Sequence, residues 1–257
     1  MPVSKANVLN PAYRKALCPD LDDAWLAKVR ALPQLGAGHP SREKRAIAAC
    51  AEDPAEFIFG GAVRTFDPHD RENPYKPFPD LPDLREALQF IHQPAAVACI
   101  AKSRQLMMSW LLCAYAVWEA RFSPARVVMM QSKKEADAWT LVFNDWFTSR
   151  CAFIEYALPP LLWCSFHGRF VHGMQGKLIY PHGSMIWGIP GGPDHFRSHV
   201  ASLAFIDEAA FHDKFDLTYQ AALAMTKGGG RLRIVSTAKY GTYFGQLIEA
   251  VEHQQAA

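Results

Sequence analysis

Leu203-Ala204-Phe205-Ile206-Asp207-Glu208 sets four apolar residues ahead of two adjacent carboxylates. An unbroken apolar run of this length reads as a strand buried on both faces, and ligands of an open α/β sheet collect at the carboxyl ends of such strands. Two acids delivered there suit phosphoanhydride hydrolysis. In that chemistry Asp207 helps hold Mg²⁺ through water and Glu208, one residue on, polarises the attacking water. The same six residues also fit a strand followed by a helix with an acidic first turn, and a motif this short matches by chance often.

A second segment lies upstream. Ala96-Val97-Ala98-Cys99-Ile100-Ala101 is strand-like and leads through Lys102-Ser103-Arg104-Gln105-Leu106-Met107-Met108-Ser109 into an apolar helical pattern. Strand, short loop and helix form an anion site, because backbone N–H groups and the helix N-terminus converge on it. Against the phosphate-loop consensus G-x-x-x-x-G-K-[ST], Ser109 takes the hydroxyl position that meets Mg²⁺, while Met107 and Met108 occupy the Gly and Lys positions. A methionine cannot neutralise charge on a transferred phosphoryl group, so Lys102 or Arg104 has to fold back over the nucleotide. If position 107 requires positive φ, its side chain costs about 1–2 kcal/mol there. The alternative is a plain strand-to-helix turn with exposed basic residues.

A third segment, Arg231-Leu232-Arg233-Ile234-Val235-Ser236-Thr237-Ala238, is another apolar strand with a hydroxyl-bearing tip. Beside the acidic pair such a tip can sense a γ-phosphate, although Ser and Thr also end strands as turn formers and caps.

In this order the segments resemble the ATPase domain of phage large terminases, the motor subunits that pump DNA into a procapsid. Lys102 to Ser109 looks like the family's deviant Walker A, in which R-Q-L is typical and a lysine can open the motif. Leu203 to Glu208, continuing Ala209-Ala210-Phe211, is similar to its Walker B. Ser236-Thr237-Ala238, with Gly241 and Phe244 behind it, looks like the coupling motif. Arg197 stands eleven residues before Glu208, where related motors carry an arginine that reaches a neighbour's ATP. Asn73-Pro74-Tyr75-Lys76-Pro77-Phe78-Pro79 resembles the adenine-side segment. The sequence departs from the family at Met107, commonly glycine, and after the Tyr75 segment, where Asp83-Leu84-Arg85-Glu86 replaces the usual glutamine region.

The resemblance, from about Phe66 to about Glu249, implies an ASCE/RecA-like P-loop NTPase fold: a mostly parallel sheet flanked by helices, with ATP and Mg²⁺ as cofactors. It implies nucleotide contacts from Lys102, Ser103, Arg104, Gln105, Leu106, Met107, Met108 and Ser109, with Ser236 and Thr237 relaying the phosphate state. Ser109 and Asp207 are the implied metal residues, and Glu208, Arg197, Lys102 and Arg104 the catalytic ones. Tyr75 and Phe78 are the implied adenine contacts, although proline-flanked aromatics more often pin an extended segment to the core. Implied partners are double-stranded DNA, the portal and procapsid, the small terminase subunit and, within a ring, copies of the chain itself; an isolated ATPase piece is expected to be monomeric. Two other readings share these residues: an assembly or docking module whose pocket Met107 and Met108 have spoiled, and a helicase-like P-loop ATPase, which would need a second lobe.

Length and composition accord with one large α/β domain, since 257 residues are 50% hydrophobic. A formal net charge of +2 confines DNA contact to local patches. Candidates are Lys133 and Lys134, and Lys227, Arg231 and Arg233 around Gly228-Gly229-Gly230. Cysteines 18, 50, 99, 113, 151 and 164 form no C-x-x-C pair and read as buried free thiols. The ten histidines, among them His167, His172, His182, His195 and His199, lack zinc-site spacing. No signal peptide or membrane span is expected, and the host cytoplasm is the expected compartment.

Residues 1–60 read as a small helical appendage, with helices over Asp22–Leu32 and Ser41–Ala51, and 61–257 as the ATPase domain. Phe66 to Pro82 reads as an extended connector. The core then alternates as a parallel sheet demands: strand Ala96–Ala101, helix Ser109–Arg121, strand Arg126–Met130, helix Lys133–Phe147. Glycine-punctuated alternation between Phe166 and Trp187 predicts short antiparallel strands. Gly188 to Ser198 reads as a flexible loop presenting Arg197, whose alternative partner is Asp194. A closing helix is expected over Tyr243–Val251. A nuclease domain, which complete terminases of this sort carry, is not expected within this piece.

Overall fold

The computed structural model describes residues 23–35, 39–103, 107–163, 166, 171–237, 239 and 241–255. Cys18, Arg104, Gln105, Leu106, Cys164, His167 and Ala238 lie outside the described residues.

Among the described residues three helices come first: α1 (Asp23–Ala31), α2 (Arg42–Glu52) and α3 (Pro54–Phe59). Their starts follow from local chemistry. Ser41 Oγ accepts from Lys44 N at 3.3 Å to cap α2, and Asp53 Oδ1 accepts from Ala55 N at 2.7 Å, with Pro54 opening α3. Trp25, Val29, Cys50, Phe57 and Ile58 on these helices are buried in the same core as the central helix α5 (Met108–Phe122) and the sheet. The expected connector is a small antiparallel hairpin, β1 (Arg64–Phe66) and β2 (Tyr75–Pro77), with Lys76 pairing Asp67 and Asp70 across its turn. Helix α4 (Pro82–His92) then leads into the main sheet.

That sheet has seven strands: β3 (Val97–Lys102), β4 (Val127–Gln131), β5 (His172–Met174), β6 (Lys177–Ile179), β7 (Met185–Ile189), β8 (Leu203–Asp207) and β9 (Arg231–Thr237). Their order is β3-β9-β8-β4-β7-β6-β5. The first five in that order run parallel, while β6 and β5 add an antiparallel edge. All five residues of β8 are buried, which is why the strand reads as a continuous apolar run ending in an acid. Helix α5 is buried almost all round, from Leu111 through Arg121, and so shows no amphipathic stripe.

The expected helix over Lys133–Phe147 is a correction. Helix α6 spans only Glu135–Leu141, and a separate helix α7 spans Arg150–Ala157. Asp145 Oδ1 accepts from Phe147 N and Thr148 N at 2.8 Å each, and Ser149 Oγ accepts from Asn144 N at 2.7 Å. These side chains take the backbone donors that a continuing helix would use. Helix α6 lies so close on β7 that a Cβ at Gly188 would sit 2.5 Å from the Ala138 carbonyl oxygen. The remaining helices are α8 (Pro160–Trp163), α9 (Asp194–Ser198), α10 (Phe215–Thr226) and α11 (Tyr243–Gln255). Helix α9 lies inside the segment expected to be a loop. No helix among the described residues is long and apolar enough to cross a membrane.

Candidate active site

The strand order decides which side chains meet. Because β3, β9 and β8 are neighbours in parallel register, with Lys102 opposite Thr237 and Asp207 opposite Val235, their carboxyl ends share one edge. Lys102 is the last residue of β3, one step earlier than a loop position. Its ammonium reaches past the tip of β9 and donates to Glu208 Oε1 at 2.7 Å; the lysine side chain is 9% exposed and the glutamate 37%. Beside it, Ser109 Oγ donates to Asp207 Oδ2 at 2.6 Å. Four of the sequence-predicted residues thus converge as two contacts across the sheet edge.

Two left-handed residues make this convergence possible. Met107, at φ 52° and ψ 14°, ends the loop and caps α5. Glu208, at φ 54° and ψ 39°, turns the chain out of β8 into a 3₁₀ turn at Ala209–Phe211. Both carry the steric cost of a Cβ in a region glycine favours. The Glu208 turn is fixed on three sides: Glu208 N donates to Asp207 Oδ1 at 3.0 Å, Ala210 N donates to Ser236 Oγ at 3.0 Å, and His212 Nε2 donates to the Asp207 carbonyl at 2.8 Å.

Burial pushes the Asp207 carboxyl above the ordinary aspartate range, opposed by the Ser109 hydrogen bond and the Lys102 charge; Glu208 adds to the rise and Arg150 opposes it. A buried carboxylate touching a hydroxyl is a hard-oxygen pair short of cationic charge, and that donor set fits Mg²⁺. Among the described residues no cluster of three or more His, Cys, Asp or Glu side chains forms a metal cage. Mg²⁺ with few protein ligands needs none, since it keeps waters and binds through one or two carboxylates plus phosphates.

The other predicted residues fare differently. Met108, in the consensus lysine slot, is 5% exposed and packs in the core, so it does not line the site. Ser103 is exposed beside Lys102. Ser236 is fully buried and holds the Glu208 turn, while Thr237 at the strand tip is half-buried. Phe78 is another correction: it is 3% exposed, edge-on to Phe59 at 5.7 Å. Tyr75 stacks on Phe153 at 5.7 Å, and Phe153 meets Trp110, so Tyr75 props the start of α5. Arg197 lies on α9, exposed, 3.5 Å from Asp194.

Among the DNA-patch candidates, Lys133, Lys134 and Lys227 are exposed. Arg231 instead pairs with Glu119 at 2.7 Å. Arg233 is wholly buried and donates to the carbonyls of Ile91, in the last turn of α4, and of Gln93 and Ala95 just after it, with burial bringing its pKa down to about 10. Strand alternation turns both residues onto one helix-covered face, where Arg233 is sealed from solvent and Arg231 is engaged by Glu119. Cys50, Cys99, Cys113 and Cys151 are free thiols.

Two neighbours of the site, His212 and Arg150, belong to none of the motifs. The first sits in the turn after the acidic pair. The second follows Thr148-Ser149, the hydroxyl pair that would have marked a helix start.

No protein-family model and no curated protein sequence matches the chain. Among solved structures, the large terminase of bacteriophage HK97 superposes with a TM-score of 0.59 over 80% of this chain, at 14% identity. The chain has the fold of a phage large terminase. It spans 42% of the HK97 terminase's length. A mutant ATPase domain of the Thermus phage P74-26 large terminase matches at 19% identity and a TM-score of 0.48, covering 65% of this chain and 68% of that one. The large terminase of another thermophilic bacteriophage matches at 12% identity and a TM-score of 0.44, covering 62% and 39%. Within the terminase fold this chain keeps the mostly parallel seven-stranded sheet with helices around it.

Proposed function

We propose that the chain is an ATP-hydrolysing domain of a large-terminase motor that drives double-stranded DNA into a procapsid. The observation that carries this reading is the pairing of Lys102 with Glu208 and Ser109 with Asp207 at one sheet edge. An acid, a hydroxyl, a second acid and a cation at the carboxyl ends of parallel strands are what MgATP hydrolysis uses. Ser109 and Asp207 would hold Mg²⁺, which when bound neutralises charge on the β- and γ-phosphate oxygens. Lys102 exchanges its carboxylate for phosphate oxygen when the nucleotide arrives, and this frees Glu208. Glu208 then accepts a proton from the attacking water. Ser236 acts indirectly, by bonding the turn on which Glu208 rides, so movement of that turn reaches β9 and the segment leading to α11. Arg197, exposed on α9, is proposed to serve the site of a neighbouring copy in a ring. Double-stranded DNA, the portal and the small terminase subunit are proposed as partners, with Lys133, Lys134 and Lys227 as exposed cations for phosphate.

The test is Glu208→Gln. The glutamine keeps size and hydrogen bonding but not basicity, so ATP affinity is expected to stay within about threefold while turnover falls by about 10²-fold or more. Hydrolysis at the parental rate in a DNA-stimulated assay would overturn the assignment.

A further inference from the structure

The proposed chemistry draws its in-chain cation from Lys102 alone, and Lys102 has first to leave Glu208. Met108 stands in the consensus lysine position and is buried in the core, and Lys102 is engaged with Glu208. Transferring a phosphoryl group without fixed positive charge forfeits most of the available stabilisation.

Arg150 offers that charge from a part of the chain that no motif covers. It is the first residue of α7, set there by Ser149, which is fully buried and accepts from two backbone N–H groups before it. Its guanidinium lies 5.8 Å from the ring centroid of Trp110, the residue next to Ser109, and Trp110 is itself braced edge-on by Phe153 at 6.0 Å. No carboxylate or carbonyl among the described residues hydrogen-bonds to Arg150, whereas Arg121, Arg126, Arg197 and Arg231 each have a carboxylate partner. A cation is also misplaced at a helix N-terminus, where the helix dipole favours anions. Arg150 is half-buried, and its charge is felt at the Asp207 carboxylate. An aromatic face holds the guanidinium in place without satisfying its donors, which leaves its planar fork free for an anion.

We infer that Arg150 contacts the terminal phosphate of bound ATP from within the same chain, as a second cation beside Lys102. This rests on the ATPase reading above. The bidentate geometry of a guanidinium suits a phosphoryl group that spreads charge over several oxygens.

The experiment uses the 257-residue chain in a Glu208→Gln background, so that ATP binds without turnover, and compares dissociation constants for MgATP and MgADP with and without Arg150→Ala. Loss of a charged phosphate contact predicts about tenfold or greater weakening for ATP and less than about twofold for ADP. With Glu208 intact, Arg150→Ala is expected to lower kcat by about tenfold or more, with partial recovery in Arg150→Lys. A structural role predicts equal loss for both nucleotides with a lowered melting temperature, and either that result or an unchanged ATP-to-ADP ratio overturns the inference. If Glu208→Gln alone binds no ATP, the ATPase reading itself fails and Arg150 with it; binding there with an unmoved ratio in Arg150→Ala defeats only the arginine.

Discussion

Met107 shows how one residue reads differently in sequence and in space. Its position between β3 and α5 aligns with a glycine of the phosphate-loop consensus, and its φ of 52° lies in the region that glycine favours. Met107 also leans against the core that Met108 enters, which offsets part of the strain. Met107→Gly is therefore expected to leave the urea unfolding free energy within about 1 kcal/mol, since relief of strain is opposed by greater freedom of the unfolded chain. Met107→Val should destabilise by about 2 kcal/mol, because a β-branched side chain tolerates a left-handed backbone least. Equal unfolding midpoints for Met107→Val and the parent would refute the strain argument. At this scale the acidic pair, Ser109 and Lys102 were legible, because strand-end chemistry survives in a short linear pattern. Arg150 was not, because its relation to Asp207 arises only after the chain has crossed the sheet; His212 lies only five residues from Asp207, but a single histidine in a turn makes no pattern.

Between residues and fold, the strands were easier to read than the helices. β3, β4, β8 and β9 fall within a residue or so of the apolar runs that predict them. The helix after β4 does not, because Asp145 and Ser149 turn a continuous-looking pattern into two separate helices. The second of these, α7, is tied to α5 by a buried ion pair, Arg121 to Glu155 at 2.5 Å, with both side chains 1% exposed. Tyr180 donates to the other carboxylate oxygen at 3.2 Å. Removing one charge strands the other in a low-dielectric interior. Glu155→Ala is thus expected to cost about 3–5 kcal/mol in denaturant unfolding, and replacing both partners with apolar residues markedly less. Additive costs for the two single changes would show that the charges do not depend on each other. Since Arg150 opens the same helix, Glu155→Ala should also loosen the Trp110 side of the site.

Over the whole molecule, sheet order matters more than any motif. The chain leaves β3, crosses on α5 and enters β4, leaving a gap in the sheet that β8 and β9 later fill. In this order Lys102 reaches Glu208 while Ser109 meets Asp207. The alternation of strands and helices predicted a parallel sheet; it did not contain the order, which depends on long-range pairing that no local pattern encodes. The helices α1 to α3 read as an appendage from their helical periodicity, and Trp25, Phe57 and Ile58 sit in the core shared with α5. The most direct measurement of the account is a calorimetric titration of the parental chain and Asp207→Asn with ATP, with and without Mg²⁺, alongside thermal melting. Saturable, Mg²⁺-dependent heat and a raised melting temperature are expected for the parent, both strongly reduced in Asp207→Asn. No heat and no shift for the parent at millimolar MgATP would contradict the ATPase reading and favour a docking module in its place.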